Sequence, residues 1–129
     1  MEEILSKFGE EPAANFIAKL IVKERKKKKI ETAQELKDIL FNNMNPRTDK
    51  YKVLMRVFQA LRITINNELQ NLESFMENSF DPLKENGIGM IITFHSLERQ
   101  VVVQHLKELV TNFVRKLLST LCHRKRNKK

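Results

Sequence analysis

His95, Ser96 and Glu98 bring an imidazole, a hydroxyl and a carboxylate within four positions of one another. Groups of these kinds can hold and orient a reacting group. They follow a short apolar segment, Met90 to Phe94, as site residues follow strand ends in doubly wound folds. The same positions also read as a helix start, with Ser96 before Leu97 as the N-cap and Glu98 in the first turn. A second group, Gln59, Arg62 and Asn66, recurs at steps of three and four and so shares one helix face. That face could meet RNA or another domain, or lie in solvent.

The third group is basic. The formal charge is +8, and it is concentrated in two runs. Lys23, Arg25, Lys26, Lys27, Lys28 and Lys29 are interrupted by Glu24 alone, and residues 123–129 hold five bases and no acid. Each run contributes +5, which leaves −2 for the rest of the chain. Local basicity of this kind is the electrostatic footprint of a polyanion partner. Lysines on a solvated helix end need no partner, and a chain rich in Lys, Asn, Ile and Phe also fits an AT-rich genome.

Several chemistries are excluded. His95, His105 and His123 with the single Cys122 do not make a metal-ligand spacing, so no metal site is expected. There is no Gly-x-Ser-x-Gly, no P-loop and no paired cysteine. One cysteine allows no internal disulfide and suits a reducing compartment. No run reaches the roughly 18 apolar residues of a membrane span. The acidic start, MEEILSKFGEE, does not fit a secretory signal or a transit peptide. The expected location is therefore cytoplasmic, or mitochondrial in a eukaryote.

The elements that must position these residues are helical. Pro12 suits a first helical position after Glu10 and Glu11, and Ala13, Phe16, Ile17, Leu20 and Ile21 form a stripe, so the first helix is expected over about 12–28. Thr32-Ala-Gln-Glu35 is a capping box that opens a second helix with Leu36, Ile39 and Leu40 inward. Asn42, Asn43, Asn45 and Pro46 close it. Leu54, Phe58, Leu61, Ile65, Leu69, Leu72 and Met76 recur at steps of three and four, which predicts one continuous helix of about six turns, roughly 35 Å. Phe58 reads as core. Met90 to Phe94 reads as a short buried strand, and a last helix follows from about Leu97 with Val102, Leu106, Leu109, Phe113 and Leu117 on one face. One strand without a ladder partner either belongs to a sheet whose other strands lie elsewhere or is no strand here.

Three blocks carry a family resemblance, and they occur in the family's order. Lys7-Phe-Gly-Glu-Glu11 with Ile17-Ala-Lys-Leu-Ile-Val22 and Ile30-Glu-Thr32 is the first. Arg56-Val-Phe-Gln-Ala-Leu-Arg-Ile63 with Asn66, Glu68 and Leu69 is the second, and Thr93-Phe-His-Ser-Leu-Glu98 is the third. Together they resemble the MraW-type 16S rRNA (cytosine-N4) methyltransferases over about Ile4 to Leu106. The resemblance implies a Rossmann-like domain interrupted by a helical cap that helps to receive RNA, with the FHSLE strand returning to the sheet. It therefore implies a mainly α chain: a cap-like region over 1–86, a strand–helix remnant of the methyltransferase domain over 87–121, and a basic tail over 122–129. His95, Ser96 and Glu98 would border the reaction site. Lys23, Arg25 to Lys29, Arg62 and Asn66 would face rRNA.

The departures set further expectations. The family's S-adenosylmethionine site lies mainly upstream of the cap, on a Gly-rich loop and an acid, so no cofactor-binding residue is expected in this chain alone. Asn86-Gly-Ile-Gly89 precedes an apolar segment instead of linking a strand to a helix, and cannot replace that loop. Arg99 stands where the family has an acid, and Lys52-Val53 where it has His-Pro. A catalytically silent member is expected, one that self-associates through 90–94 or needs a separate chain carrying the cofactor half. The alternative is a non-enzymatic basic RNA-binding or ribosome-associated module.

Overall fold

A computed structural model describes residues 1–80, 82–84 and 86–126, with side chains to residue 115. Residues 127–129, and the side chains of the rest of the expected basic tail, lie outside the described residues, as does that of Leu117. The described chain is mainly α. Its helices are α1 (Glu2–Lys7), α2 (Ala14–Lys27), α3 (Ala33–Asn43), α4 (Lys50–Asn66), α5 (Glu68–Asn78) and α6 (Ser96–Arg126). No strand occurs among the described residues, and no described helix is long and apolar enough to cross a membrane. The chain divides into two compact units, residues 1–68 and 69–129.

The first unit is built on α1 to α4, with α1 packed on α2 and α4, and α3 on the same two helices. Helix α1 has no strong sequence signal of its own. At six residues it is too short to persist alone, and its burial of Leu5 against the other helices holds it. Helix α2 starts two residues later than Pro12 suggests, with Ala13 as its N-cap and the Ala13 N–H donating to Glu11 Oε1 at 3.0 Å. Ile17, Leu20 and Ile21 are buried as expected, but Phe16 is 51% exposed.

Helix α3 matches its sequence signal. Thr32 Oγ1 accepts the Glu35 N–H at 3.1 Å, and Glu35 Oε2 accepts the N–H groups of Thr32 at 3.2 Å and Glu31 at 2.8 Å. Leu36 and Leu40 are buried. In α4 the inward face is rotated from the expected stripe. Val53, Val57 and Ala60 are buried, Leu54, Phe58 and Leu61 pack at the flank, and Ile65 is 75% exposed. The small and β-branched residues lie inward because they let the α4 backbone approach its neighbours closely.

The expected continuous helix from Leu54 to Met76 is interrupted. Asn67 ends α4 in the left-handed region (φ 51°, ψ 38°), and its N–H donates to the Ile63 carbonyl. Asn tolerates this conformation better than other residues with a Cβ, so the chain restarts at Glu68 while the apolar spacing runs on unbroken.

In the second unit, residues 88–94 form no strand. Ile88, Met90, Ile92 and Phe94 are 89%, 86%, 74% and 86% exposed, not buried as expected. An extended segment needs N–H and C=O partners on a neighbouring strand to become one, and none pairs with it among the described residues. Helix α6 begins as expected near Leu97. It leaves Val110, Phe113 and Val114 exposed, and the His105 ring stacks 6.3 Å from that of Phe80.

Candidate functional site

The first two blocks of the resemblance meet in the first unit. Gly9 sits where a Cβ would lie 2.7 Å from the Leu5 carbonyl oxygen, 2.8 Å from that of Arg56 and 3.3 Å from the Ala60 Cβ. Only glycine fits such a backbone-to-backbone approach. Beside it, Glu11 is buried at 4% exposure. One of its oxygens accepts the Ala13 N–H just before α2, and the other pairs with Arg56 Nη1 at 3.4 Å. Gln59 Nε2 donates to the Phe8 carbonyl at 3.0 Å. Gln59 thus belongs to neither an RNA face nor a solvated one; it ties the end of α1 to α4. Phe-Gly-Glu-Glu and Arg-x-x-Gln-Ala are two halves of one packing joint, and neither half alone reveals it.

At the end of α4 the polar residues turn toward one another. Arg62 grips Glu68 with Nε to Oε1 at 2.8 Å and Nη2 to Oε2 at 3.3 Å. Asn66 Nδ2 reaches the same Oε1 at 3.4 Å. The fork geometry is that of a bidentate pair, so the guanidinium orders the turn through Asn67 while remaining 55% exposed.

The basic run divides when folded. Lys27 pairs with Glu24 at 2.7 Å, Lys28 with Glu35 at 2.6 Å and Lys29 with Glu31 at 3.1 Å. Lys28 and the backbone N–H of Glu31 hold the Glu35 carboxyl down from its ordinary 4.5 to about 2. Lys23, Arg25 and Lys26 are exposed, and no ion pair involves them among the described residues.

In the second unit, His95, Ser96 and Glu98 are brought together as a helix start. His95, not Ser96, is the cap. Its Nδ1 accepts the Glu98 N–H at 3.3 Å, while Glu98 Oε2 accepts the N–H groups of Phe94 at 2.6 Å and His95 at 3.4 Å. This is a capping box with an imidazole in place of the usual hydroxyl. Acceptance at Nδ1 puts the neutral ring's proton on Nε2, which lies 3.5 Å from Glu98 Oε1.

A family model described as the MraW methylase family matches residues 1–129. The chain belongs to this family. It is 47% identical over 107 residues to a ribosomal RNA small subunit methyltransferase H of Sulfurihydrogenibium sp., covering 81% of this chain and 36% of that protein. The protein of the same name from Brachyspira hyodysenteriae is 40% identical over 110 residues, 84% of this chain and 37% of the relative. That from Rickettsia typhi is 38% identical over 108 residues, 84% and 35% respectively. The chain thus spans about a third of the length of the curated relatives it matches. No solved structure matches it.

Among the described residues, no glycine lies on a turn between a strand and a helix N-terminus. A doubly wound fold holds a methyl donor on a Gly-rich turn of that kind. The space beside Gly9 is filled by the backbone of α1 and α4. A Cβ at Gly87 would meet the Lys84 carbonyl at 2.8 Å, and Gly87 and Gly89 lead into the irregular 88–94 segment.

Proposed function

We propose that this chain supplies the RNA-contacting helical part of an S-adenosylmethionine-dependent rRNA (cytosine-N4) methyltransferase and is catalytically silent by itself. Residues 1–86 correspond to the cap and 87–121 to part of the methyltransferase domain, and the protein works in the cytoplasm. The supporting observation is the packing joint between the Gly9–Glu11 and Arg56–Ala60 segments. Two of the three blocks that carry the resemblance thus pack together in one folded unit.

Methyl transfer to a cytosine amine breaks the sulfonium–methyl bond, forms the N–methyl bond and releases a proton from nitrogen. The donor-binding part must be held beside this chain by other residues, and the exposed face of 88–94 is where its sheet would add a strand. His95, Ser96 and Glu98 would then border the reacting amine. Here they order the turn into α6. The RNA side rests on Lys23, Arg25 to Lys29, Arg62 and Asn66.

Calorimetric titration of the purified chain with S-adenosylmethionine should give no binding heat, and a micromolar Kd would overturn silence. Adding the donor-binding part of a relative as a separate polypeptide should restore methyl transfer to small-subunit RNA. RNA binding without any such restoration would favour the second reading, a non-enzymatic RNA-binding module, which the surface lysines support equally.

A further inference from the structure

Among the described residues, a row of cations on α2 has no acid paired to it, and that row extends beyond the basic run. Lys19, Lys23 and Lys26 stand on α2 at steps of four and three, within an arc of about 60°. All three are exposed. They line a shallow groove of about 450 Å³ whose other walls are Met1, Glu2, Ala18 and Val22. No ion pair involves any of the three among the described residues, whereas Lys27, Lys28 and Lys29 are each held by a carboxylate. Glu2, the one acid in the groove, accepts a hydrogen bond from Asn15 Nδ2 at 2.7 Å. One turn before Lys19 on the same side of the helix is Phe16, a core residue by sequence pattern but 51% exposed.

An aromatic ring followed by a row of free ammonium groups is what an unpaired nucleic-acid strand requires. The ring offers a base a stacking surface, and the lysines follow the phosphates. A duplex hides its base faces and would leave Phe16 unused. We propose that Phe16, Lys19, Lys23 and Lys26 form a single-stranded RNA site on α2, beside Lys27, Lys28 and Lys29, which are each engaged by a carboxylate. The site rests on the RNA-contacting role proposed above and places it on particular atoms.

The test is the salt dependence of binding of a uridine oligoribonucleotide to the full chain. Each phosphate neutralised on a single strand contributes about 0.7 to the slope of log affinity against log salt. The triple variant K19Q/K23Q/K26Q should therefore flatten the slope by about 2, and K27Q/K28Q/K29Q should change it much less. K19R/K23R/K26R should restore the wild-type slope, which separates lost charge from lost fold. Phe16→Ala should weaken binding about tenfold and leave the slope intact. If the wild-type chain binds but K27Q/K28Q/K29Q carries the loss of slope, the site is wrong and the RNA role stands. If a duplex binds as tightly as the single strand and Phe16→Ala changes nothing, the single-strand assignment is wrong. If the wild-type chain binds no RNA at low salt, the RNA role and the site fall together.

Discussion

Residues 1–68 and 69–129 treat their apolar side chains in opposite ways. Among the described residues, every buried hydrophobic side chain except Met76 lies in the first unit. The second unit exposes Phe75, Ile88, Met90, Ile92, Phe94, Val110 and Phe113, each more than half accessible. The sequence patterns of the two units are equally apolar, so composition does not separate them. The first has four helices around one core, with polar groups such as Glu11 and Gln59 bonded across helices. Among the described residues, the second presents α5, one extended apolar segment and the long helix α6. Contiguous exposed apolar surface of this sort marks an interaction site on a folded protein. The contrast separates a unit with its own core from one that leaves most of its apolar side chains accessible.

The largest test of the contrast is truncation of matched leucines. Leu40→Ala, at a fully buried position, should cost about 2–5 kcal/mol, with part of that from the cavity left behind. Leu109→Ala on α6, 37% exposed, should cost much less, under about 1 kcal/mol. Equal shifts in the denaturation midpoint would show that α6 is packed as tightly as α3. Next in size, Gly9→Ala forces a methyl against two carbonyl oxygens and should destabilise by about 1–3 kcal/mol. A neutral result would mean that the joint can open without loss.

The third substitution probes association more than stability. If residues 88–94 take up another strand, Ile92→Lys should make the purified chain more monodisperse with unchanged helicity. Lower helicity together with more aggregation would instead make the segment core. Smallest is an acid effect confined to the first unit. Glu35 is held at about 2 against an ordinary 4.5, so its contribution is complete above about 4.5 and is lost as pH falls toward 2. Thermal melts across that window should show a shallower acid decline in Glu35→Gln than in the wild type. Identical slopes would remove the Lys28–Glu35 pair from the stability of the unit.

What could be read in the sequence was whatever is local. The Thr32–Glu35 box and the end of α3 need only neighbouring residues, and both form as the spacing indicates. The rest depends on residues far apart in the chain. Ala60 and Gly9 add nothing to a hydrophobic pattern, yet their smallness sets which face of α4 turns inward, so pattern alone points to Leu54, Phe58 and Leu61. The break at Asn67 lies in the sign of one dihedral angle, with the three-and-four spacing continuing past it. Charge counting found the basic run but could not show that Glu31 and Glu35 fold back onto it, nor that Lys19 joins the free row. Residue type favours Ser96 over His95 as the cap because imidazoles seldom fill that position. The Glu98 three residues later was the available signal for a box.

The most direct measurement is native-state hydrogen exchange on the full chain, followed peptide by peptide. Amides of α1, α2 and α4 should share one high level of protection that reflects cooperative opening of the first unit. Those of 88–94 and of α6 should exchange faster, at free energies well below that level. Protection of 88–94 and α6 equal to that of α2 in the isolated chain would contradict the division into a unit with its own core and one that lacks it.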